Sequence, residues 1–246
     1  MAATKIEWTE RTWNPVTGCT KISKGCDHCY AEIMSRRLKA FGMKKYSKGF
    51  TVTTHEDILS EPLKWKKPSS IFVCSMSDLF HKDVPFEFID KVLAIIRETK
   101  QHNFQILSKR AERMAQYFSK NSSPSNLWLG VTVECQEAKK RIDSLREIDA
   151  TLRFLSVEPL IEDLGEVDLT GIGWVIVGGE SGPKARPMKP EWALSLLNQA
   201  EREKIPFFFK QWGTFGSDGV RRNKKANGNI IDGRIVQKRP SEYKDL

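Results

Sequence analysis

The sequence predicts an α/β fold: a partial or closed (β/α)6-7 barrel of the TIM type, built from parallel strands and ending in a flexible basic C-terminal tail. Three observations carry this. Short apolar runs rich in β-branched and aromatic residues recur along the 246 residues at roughly the spacing of one βα unit. Stretches with apolar residues at helical spacing lie between them, and such alternation favours parallel strands joined by crossovers. Six of the runs end in polar or charged residues, as strands do at the rim of a barrel. An open doubly wound sheet is the other architecture the pattern allows.

The first strand candidate is 5–8. It is followed by 70–74, 104–107, 127–133, 152–157, 174–177 and 206–209. Helices are expected at 31–41, at 86–99 with Phe88, Ile89, Val92, Leu93 and Ile96 on one face, at 137–148, and from Pro190 onward. The barrel domain takes residues 1–215 and the basic extension 216–246. With 39% apolar and 29% charged residues, large-scale disorder is excluded.

The strand ends read Ser75-Met76-Ser77-Asp78, Ser108-Lys109-Arg110, Thr132-Val133-Glu134, Ser156-Val157-Glu158-Pro159, Gly178-Gly179-Glu180-Ser181-Gly182 and Lys210-Gln211-Trp212-Gly213. In a βα barrel such ends converge on one rim, where ligands bind. Strands end in polar loops in any protein, but Glu at three consecutive ends favours a ligand-lined rim.

Three of the five cysteines, Cys19, Cys26 and Cys29, form a C-x6-C-x2-C motif just before a helix. In a reducing compartment such a cluster reads as a metal or cofactor site before it reads as disulfides. Structural zinc and electron-transfer [4Fe–4S] clusters take four protein ligands. Three thiolates on a four-iron cubane leave one iron open for a small molecule, and S-adenosylmethionine suits that position. The rival is zinc held by the three cysteines and one of His28, His55, His81 or His102, giving a zinc-stabilised nucleic-acid-binding protein without catalysis. Cys74 and Cys135 read as buried apolar thiols.

Forty Lys and Arg against 31 Asp and Glu give a formal charge of +9, which favours a nucleic-acid partner and is also compatible with an ordinary soluble enzyme. Arg36, Arg37, Lys39, Lys44, Lys45 and Lys48 fall in a stretch without an acidic residue. Trp13, Trp65, Trp212 and Phe215 are candidate stacking rings for exposed bases. No apolar run approaches the roughly 20 residues that cross a bilayer, and the first eight residues carry no apolar signal core, so a cytoplasmic protein without a membrane partner is expected.

The stretches Thr12-Trp13-Asn14-Pro15-Val16-Thr17-Gly18-Cys19 and Gly25-Cys26-Asp27-His28-Cys29-Tyr30-Ala31 resemble the signature of a phage- and bacteria-encoded family of unknown function, whose cysteine motif is similar to that of radical S-adenosylmethionine enzymes. Ser156-Val157-Glu158-Pro159-Leu160, Gly178-Gly179-Glu180-Ser181-Gly182 and Lys210-Gln211-Trp212-Gly213 match it too, so the resemblance covers about residues 5–215. It implies a partial barrel, a [4Fe–4S] cluster on Cys19, Cys26 and Cys29, S-adenosylmethionine as cosubstrate, an external electron donor, and a "three-Cys-motif partner" protein. The first gap of the motif is longer than usual for radical enzymes, and the glycine-rich segment expected after the second strand is replaced by Ser75-Met76-Ser77-Asp78.

By position at the rim, His28 or Tyr30 is expected near the adenine, and Ser75, Ser77 and Asp78 at the methionine amino group, whose ammonium Ser77 and Asp78 can hydrogen-bond. Thr132 and Glu134 fall at the ribose, with Glu158 facing cofactor or substrate. Trp13, Asn14, Lys109, Arg110, Glu180, Lys210 and Trp212 are expected at the substrate. The expected activity is reductive cleavage of S-adenosylmethionine to a 5′-deoxyadenosyl radical that acts on a nucleic acid or nucleotide, in repair or modification.

Overall fold

The computed structural model describes Thr4 and residues 6–240. Seven parallel strands form one sheet in sequence order: β1 (Arg11–Trp13), β2 (Ser70–Val73), β3 (Asn103–Ser108), β4 (Leu127–Thr132), β5 (Leu152–Val157), β6 (Trp174–Gly178) and β7 (Phe207–Gln211). Each pairs with the next and, among the described residues, β1 does not pair with β7. The sheet is therefore a curled half-barrel, open on one side.

Successive strand residues point to opposite faces, and both faces are apolar. Ile71, Val73, Val175, Val177, Phe207 and Phe209 belong to the outer core, shared with α2 (Phe86–Glu98), α3 (Ala111–Phe118), α4 (Lys140–Arg146) and α5 (Pro190–Arg202). Their neighbours Phe72, Trp174, Ile176 and Phe208 turn inward and, with Trp128 and Phe154, fill the bore. Burial of each such ring stabilises the fold by about 2 kcal/mol.

The bore is completed from outside the sheet. Trp8 packs among the inner rings, with centroids 4.7 Å from Phe72, 6.1 Å from Trp174 and 6.3 Å from Phe154. This corrects the first strand candidate: Lys5 lies outside the described residues, and Glu7-Trp8 form a turn. The first strand is Arg11–Trp13, with Trp13 level with Val73 of β2.

The extension is also corrected. Residues 227–240 are anchored on the barrel instead of forming a free tail, with Ile231, Val236 and Pro240 buried, while 217–226 are exposed. The Phe209 amide donates to the Val236 carbonyl at 2.7 Å and the Lys238 amide to the Phe207 carbonyl at 2.9 Å, so this segment covers the free edge of β7. Ile231 and Val236 are buried in the outer core. A short helix, α6 (Lys224–Asn227), and the antiparallel pair Ile230–Ile231 with Arg234–Ile235 complete it. Residues 241–246, the rest of that predicted tail, lie outside the described residues.

Candidate functional site

The three cysteines lie on the loop that leaves β1 and crosses the C-terminal mouth of the half-barrel. Val16–Thr17 first pair with Thr53–Thr54. Gly18 then takes φ +82°, and a Cβ there would stand 2.3 Å from the Thr51 carbonyl oxygen, so only glycine fits before Cys19. Cys26 ends a single 3-10 turn, Lys24–Cys26, and Cys29 is the N-cap of α1 (Tyr30–Ala40).

Three strand ends hold this loop. After β3, Arg110 Nη1 donates to Cys19 Sγ at 3.5 Å and to Asp78 Oδ2 at 2.9 Å, while Nη2 donates to the Thr20 carbonyl and hydroxyl at 3.0 and 3.1 Å. His81 Nδ1 accepts the Asp83 amide proton, so its Nε2 carries the hydrogen and donates to Thr20 Oγ1 at 2.7 Å. Burial, and then the nearby Arg110, hold His81 below the usual imidazole range.

After β4, Glu134 is fully buried. Its Oε2 meets Arg141 Nη1 at 2.7 Å and Lys109 Nζ at 3.7 Å, and its Oε1 accepts from the Ser23 hydroxyl. Gly25 packs against it, since a Cβ there would be 2.6 Å from Glu134 Cγ. Burial acts to raise this carboxyl, but Lys109, Arg141 and the Ser23 hydrogen bond outweigh it and hold it below the usual carboxylate range.

After β6, Glu180 Oε2 accepts from Arg186 Nε and amide at 2.9 and 2.8 Å, and Oε1 from Arg186 Nη2 at 2.7 Å and His28 Nδ1 at 3.2 Å. Arg186 continues to the Lys24 carbonyl at 3.0 Å and Asp27 Oδ2 at 3.3 Å. Burial again acts to raise Glu180, and the Arg186 hydrogen bonds outweigh it.

Several predicted contacts are thereby revised. Asp78 accepts from the Phe80 and Lys109 amides, the Ser108 hydroxyl and Arg110, so its carboxylate is saturated within the protein instead of waiting for an ammonium. Arg110, Glu134 and Glu180 all turn to the loop, and Lys109 Nζ turns to Glu134. Ser75 Oγ donates to Asn14 Oδ1 at 3.1 Å and Ser77 Oγ to the Val16 carbonyl at 2.8 Å, which ties the loop after β2 to the one after β1. Trp13 and Trp212 leave the substrate list: both rings are buried, with indole hydrogens donated to the Ile58 and Ile230 carbonyls. Sequence reasoning missed Arg141, Arg186, Ser23 and Thr20, because nothing local to them reports partners so distant along the chain.

The side of the mouth formed by β5 and β7 is arranged differently. Lys210 Nζ lies 2.8 and 3.1 Å from the two oxygens of Glu158 and 3.9 Å from Glu7 Oε2, and the pair keeps partial access to solvent. Burial acts to lower the lysine, but Glu158 outweighs it and the ammonium stays charged. Thr132 is buried at the end of β4, and its carbonyl accepts from Arg141 at 2.6 Å. Tyr30 donates its hydroxyl to the Ser75 carbonyl while much of its ring stays exposed. Beside Cys29 an open cleft of about 340 Å³ is lined by Lys21, His28, Arg36, Gly182 and Lys184, among others.

The donor chemistry suits an iron–sulfur cluster held by sulfur. Cys19, Cys26 and Cys29 are free and half-buried, whereas Cys74 and Cys135 are fully buried. Burial, and next Asp78, push the Cys19 thiol up to about 11 despite Arg110, so a thiolate at neutral pH needs a further cation there. A guanidinium can only donate, and its approach to Sγ is the polarity a thiolate accepts. Among the described residues no three His, Cys, Asp or Glu side chains are gathered closely enough to cage a single metal ion as they stand. Three of the four histidines are engaged at Nε2: His55 with Thr17, His81 with Thr20 and His102 with the Trp65 carbonyl.

Fold and site together define a parallel half-barrel protein with a cysteine-bearing loop held across its mouth. The chain belongs to the family described as protein of unknown function (DUF5131), whose profile matches residues 3–240. No curated protein matches it in sequence. Among solved structures, a spore photoproduct lyase variant superposes with a TM-score of 0.51 at 13% identity, over 73% of this chain and 58% of that one. The lyase complexed with dinucleoside spore photoproduct gives 0.47 at 11% identity, over 76% and 59%. A variant with bound AdoMet and the dinucleoside gives 0.43 at 12%, over 67% and 54%. The chain thus spans a little over half the length of these lyases, and at such identities the likeness is one of fold. Among the described residues, no helix is long and apolar enough to cross a membrane.

Proposed function

We propose that this protein is a radical S-adenosylmethionine enzyme: Cys19, Cys26 and Cys29 hold a [4Fe–4S] cluster, and the substrate is a nucleic acid or nucleotide. The observation that carries the reading is the stitching of the cysteine loop to the ends of β3, β4 and β6, which fixes three free thiols over the mouth of a parallel half-barrel. When bound, the cluster supplies the electron that cleaves the sulfonium of S-adenosylmethionine to a 5′-deoxyadenosyl radical.

The chain's own groups have distinct tasks in this reading. Arg110 donates to Cys19 and keeps that sulfur oriented. Glu134 and Glu180 hold the backbone between the cysteines so that the ligands need little reorganisation. Thr132, Glu158 and Lys210 present polar groups at the top of the bore, above the aromatic filling, where cosubstrate and substrate bind. Lys21, Arg36 and Lys184 line the cleft together with Asp27 and Glu32, and Glu32 pairs with Lys21 at 3.5 Å and Arg36 at 2.6 Å, so what favours a phosphate-bearing substrate is the net charge of +9.

Anaerobic reconstitution tests the proposal. The expected result is about four iron and matching sulfide per chain, followed by release of 5′-deoxyadenosine on reduction with dithionite in the presence of S-adenosylmethionine. One zinc and no release would instead favour the binding module. Iron content that survives replacement of all three cysteines by serine would overturn the site assignment.

A further inference from the structure

Helix α1 is amphipathic the wrong way round. Its buried residues are the small Ala31 and Ser35. Tyr30, Ile33, Met34 and Arg37, followed by Phe41, recur at helical spacing and form one outward stripe, with Tyr30 57% and Phe41 81% exposed. Met43 extends it. A helix that packs only against its own domain turns its large apolar residues inward. Here, among the described residues, no element covers them.

The surroundings of the stripe are predominantly cationic; the one acidic residue of the helix, Glu32, is paired with Arg36 at 2.6 Å and with Lys21 at 3.5 Å. Arg36, Arg37, Lys39, Lys44 and Lys48 are exposed around it, and no acidic residue occurs between 35 and 49. A second copy of this face would bring cation against cation. Aliphatic side chains such as Ile33 and Met34 offer no hydrogen-bond donor to a phosphate or a base edge. Tyr, Met, Phe and Arg at the centre of a patch with a charged rim are instead the composition of a protein interface. The stripe also begins at the residue after Cys29, the N-cap of α1.

We infer that the outward stripe of α1 is the docking face for an acidic electron-carrier protein. The inference rests on the proposed function, for which it names the donor's entry point. With a flavodoxin as carrier, the anionic flavin hydroquinone is oxidised to the neutral semiquinone, and the cluster on Cys19, Cys26 and Cys29 gains that one electron. No bond or proton changes hands. Apolar contacts hold the complex, while the surrounding cations steer an acidic partner.

The test uses an acidic bacterial flavodoxin and separates docking from the cluster. Binding is first measured by calorimetry with cluster-free protein. The expected result is an affinity that falls about tenfold or more between 50 and 500 mM salt, and falls similarly in Met34→Glu/Phe41→Glu and in Arg37→Glu/Lys44→Glu, with circular dichroism unchanged. After reconstitution, these variants should lose flavodoxin-driven cluster reduction and keep dithionite-driven reduction. No binding, or binding that neither salt nor the variants weaken, overturns the inference. So does a stripe that takes up single-stranded RNA or anionic vesicles in place of flavodoxin. Docking without iron uptake would refute the proposed function alone, and iron uptake without docking would refute this inference alone.

Discussion

The mouth of the half-barrel has two unlike sides. At the ends of β3, β4 and β6, Arg110, Glu134 and Glu180 are buried or nearly so and hold the cysteine loop: Arg110 at Cys19 and Thr20, Glu134 at Ser23, and Glu180 at His28 and, by way of Arg186, at the Lys24 carbonyl. At the ends of β5 and β7, Glu158 and Lys210 pair with each other, keep contact with solvent and hold no part of that loop. Polar residues at strand ends are therefore not one class. Some hold the scaffold of a site, and others are left for whatever enters it.

If that division is right, removing a group from the first side costs stability and from the second costs activity. The largest effect is expected for Glu134→Ala, which leaves Arg141 and Lys109 facing an uncompensated buried site. A loss of about 3–5 kcal/mol, roughly 10 °C in melting temperature by circular dichroism, follows. Glu180→Ala should cost about 2–3 kcal/mol by stranding the hydrogen bonds of Arg186. Because Arg186 also holds the Lys24 carbonyl, trypsin should cut after Lys21 and Lys24 faster in this variant than in wild type. An unchanged digestion pattern would remove Glu180 from the loop's supports.

Acid should act on the same side. Both Glu134 and Glu180 are held below the usual carboxylate range when folded, so the unfolded chain binds more protons in acid. Their contribution is fully present above about pH 5 and is lost as pH falls through the folded values. The melting temperatures of wild type and Glu180→Gln should converge between pH 6 and pH 3, and parallel curves would contradict the assignment. The smallest stability effect is expected for Glu158→Gln, below about 1 kcal/mol, because the pair it weakens is partly solvated. That variant should nonetheless lower 5′-deoxyadenosine release about tenfold or more at unchanged iron content. A stability loss as large as that of Glu134→Ala would erase the distinction between the two sides.

What the sequence made legible follows the same physics. Six strands were readable because both of their faces are buried, which writes each as a near-continuous apolar run such as Trp174–Gly178. The first strand was not, because Arg11–Trp13 is a three-residue edge strand and the more apolar segment before it goes to fill the bore. Helix α3 was passed over, although Met114, Ala115, Tyr117 and Phe118 all turn to the core. The extension looked mobile because it is rich in Gly, Asn and cations, while the few apolar residues that anchor it, Ile231 and Val236, are short signals. The rim residues were visible as strand ends, but their partners were not: Ser23 and Glu134 are 111 residues apart, and Lys24 and Arg186 are 162 apart. Burial of Trp13 and Trp212 was equally hidden, since an indole reads alike in a core and on a surface.

The placement of Trp8 has a consequence for how the polypeptide matures. Its ring is the keystone of an aromatic vault whose other stones come from strands made much later, and Arg239 Nη2 grips the Glu7 carbonyl at 2.6 Å across 232 residues. During synthesis the opening segment must therefore wait, unplaced, until β5, β6 and the edge-covering segment have left the ribosome. A translation product stopped before Trp174 would carry an unfilled, sticky hollow, a natural target for chaperones and proteases.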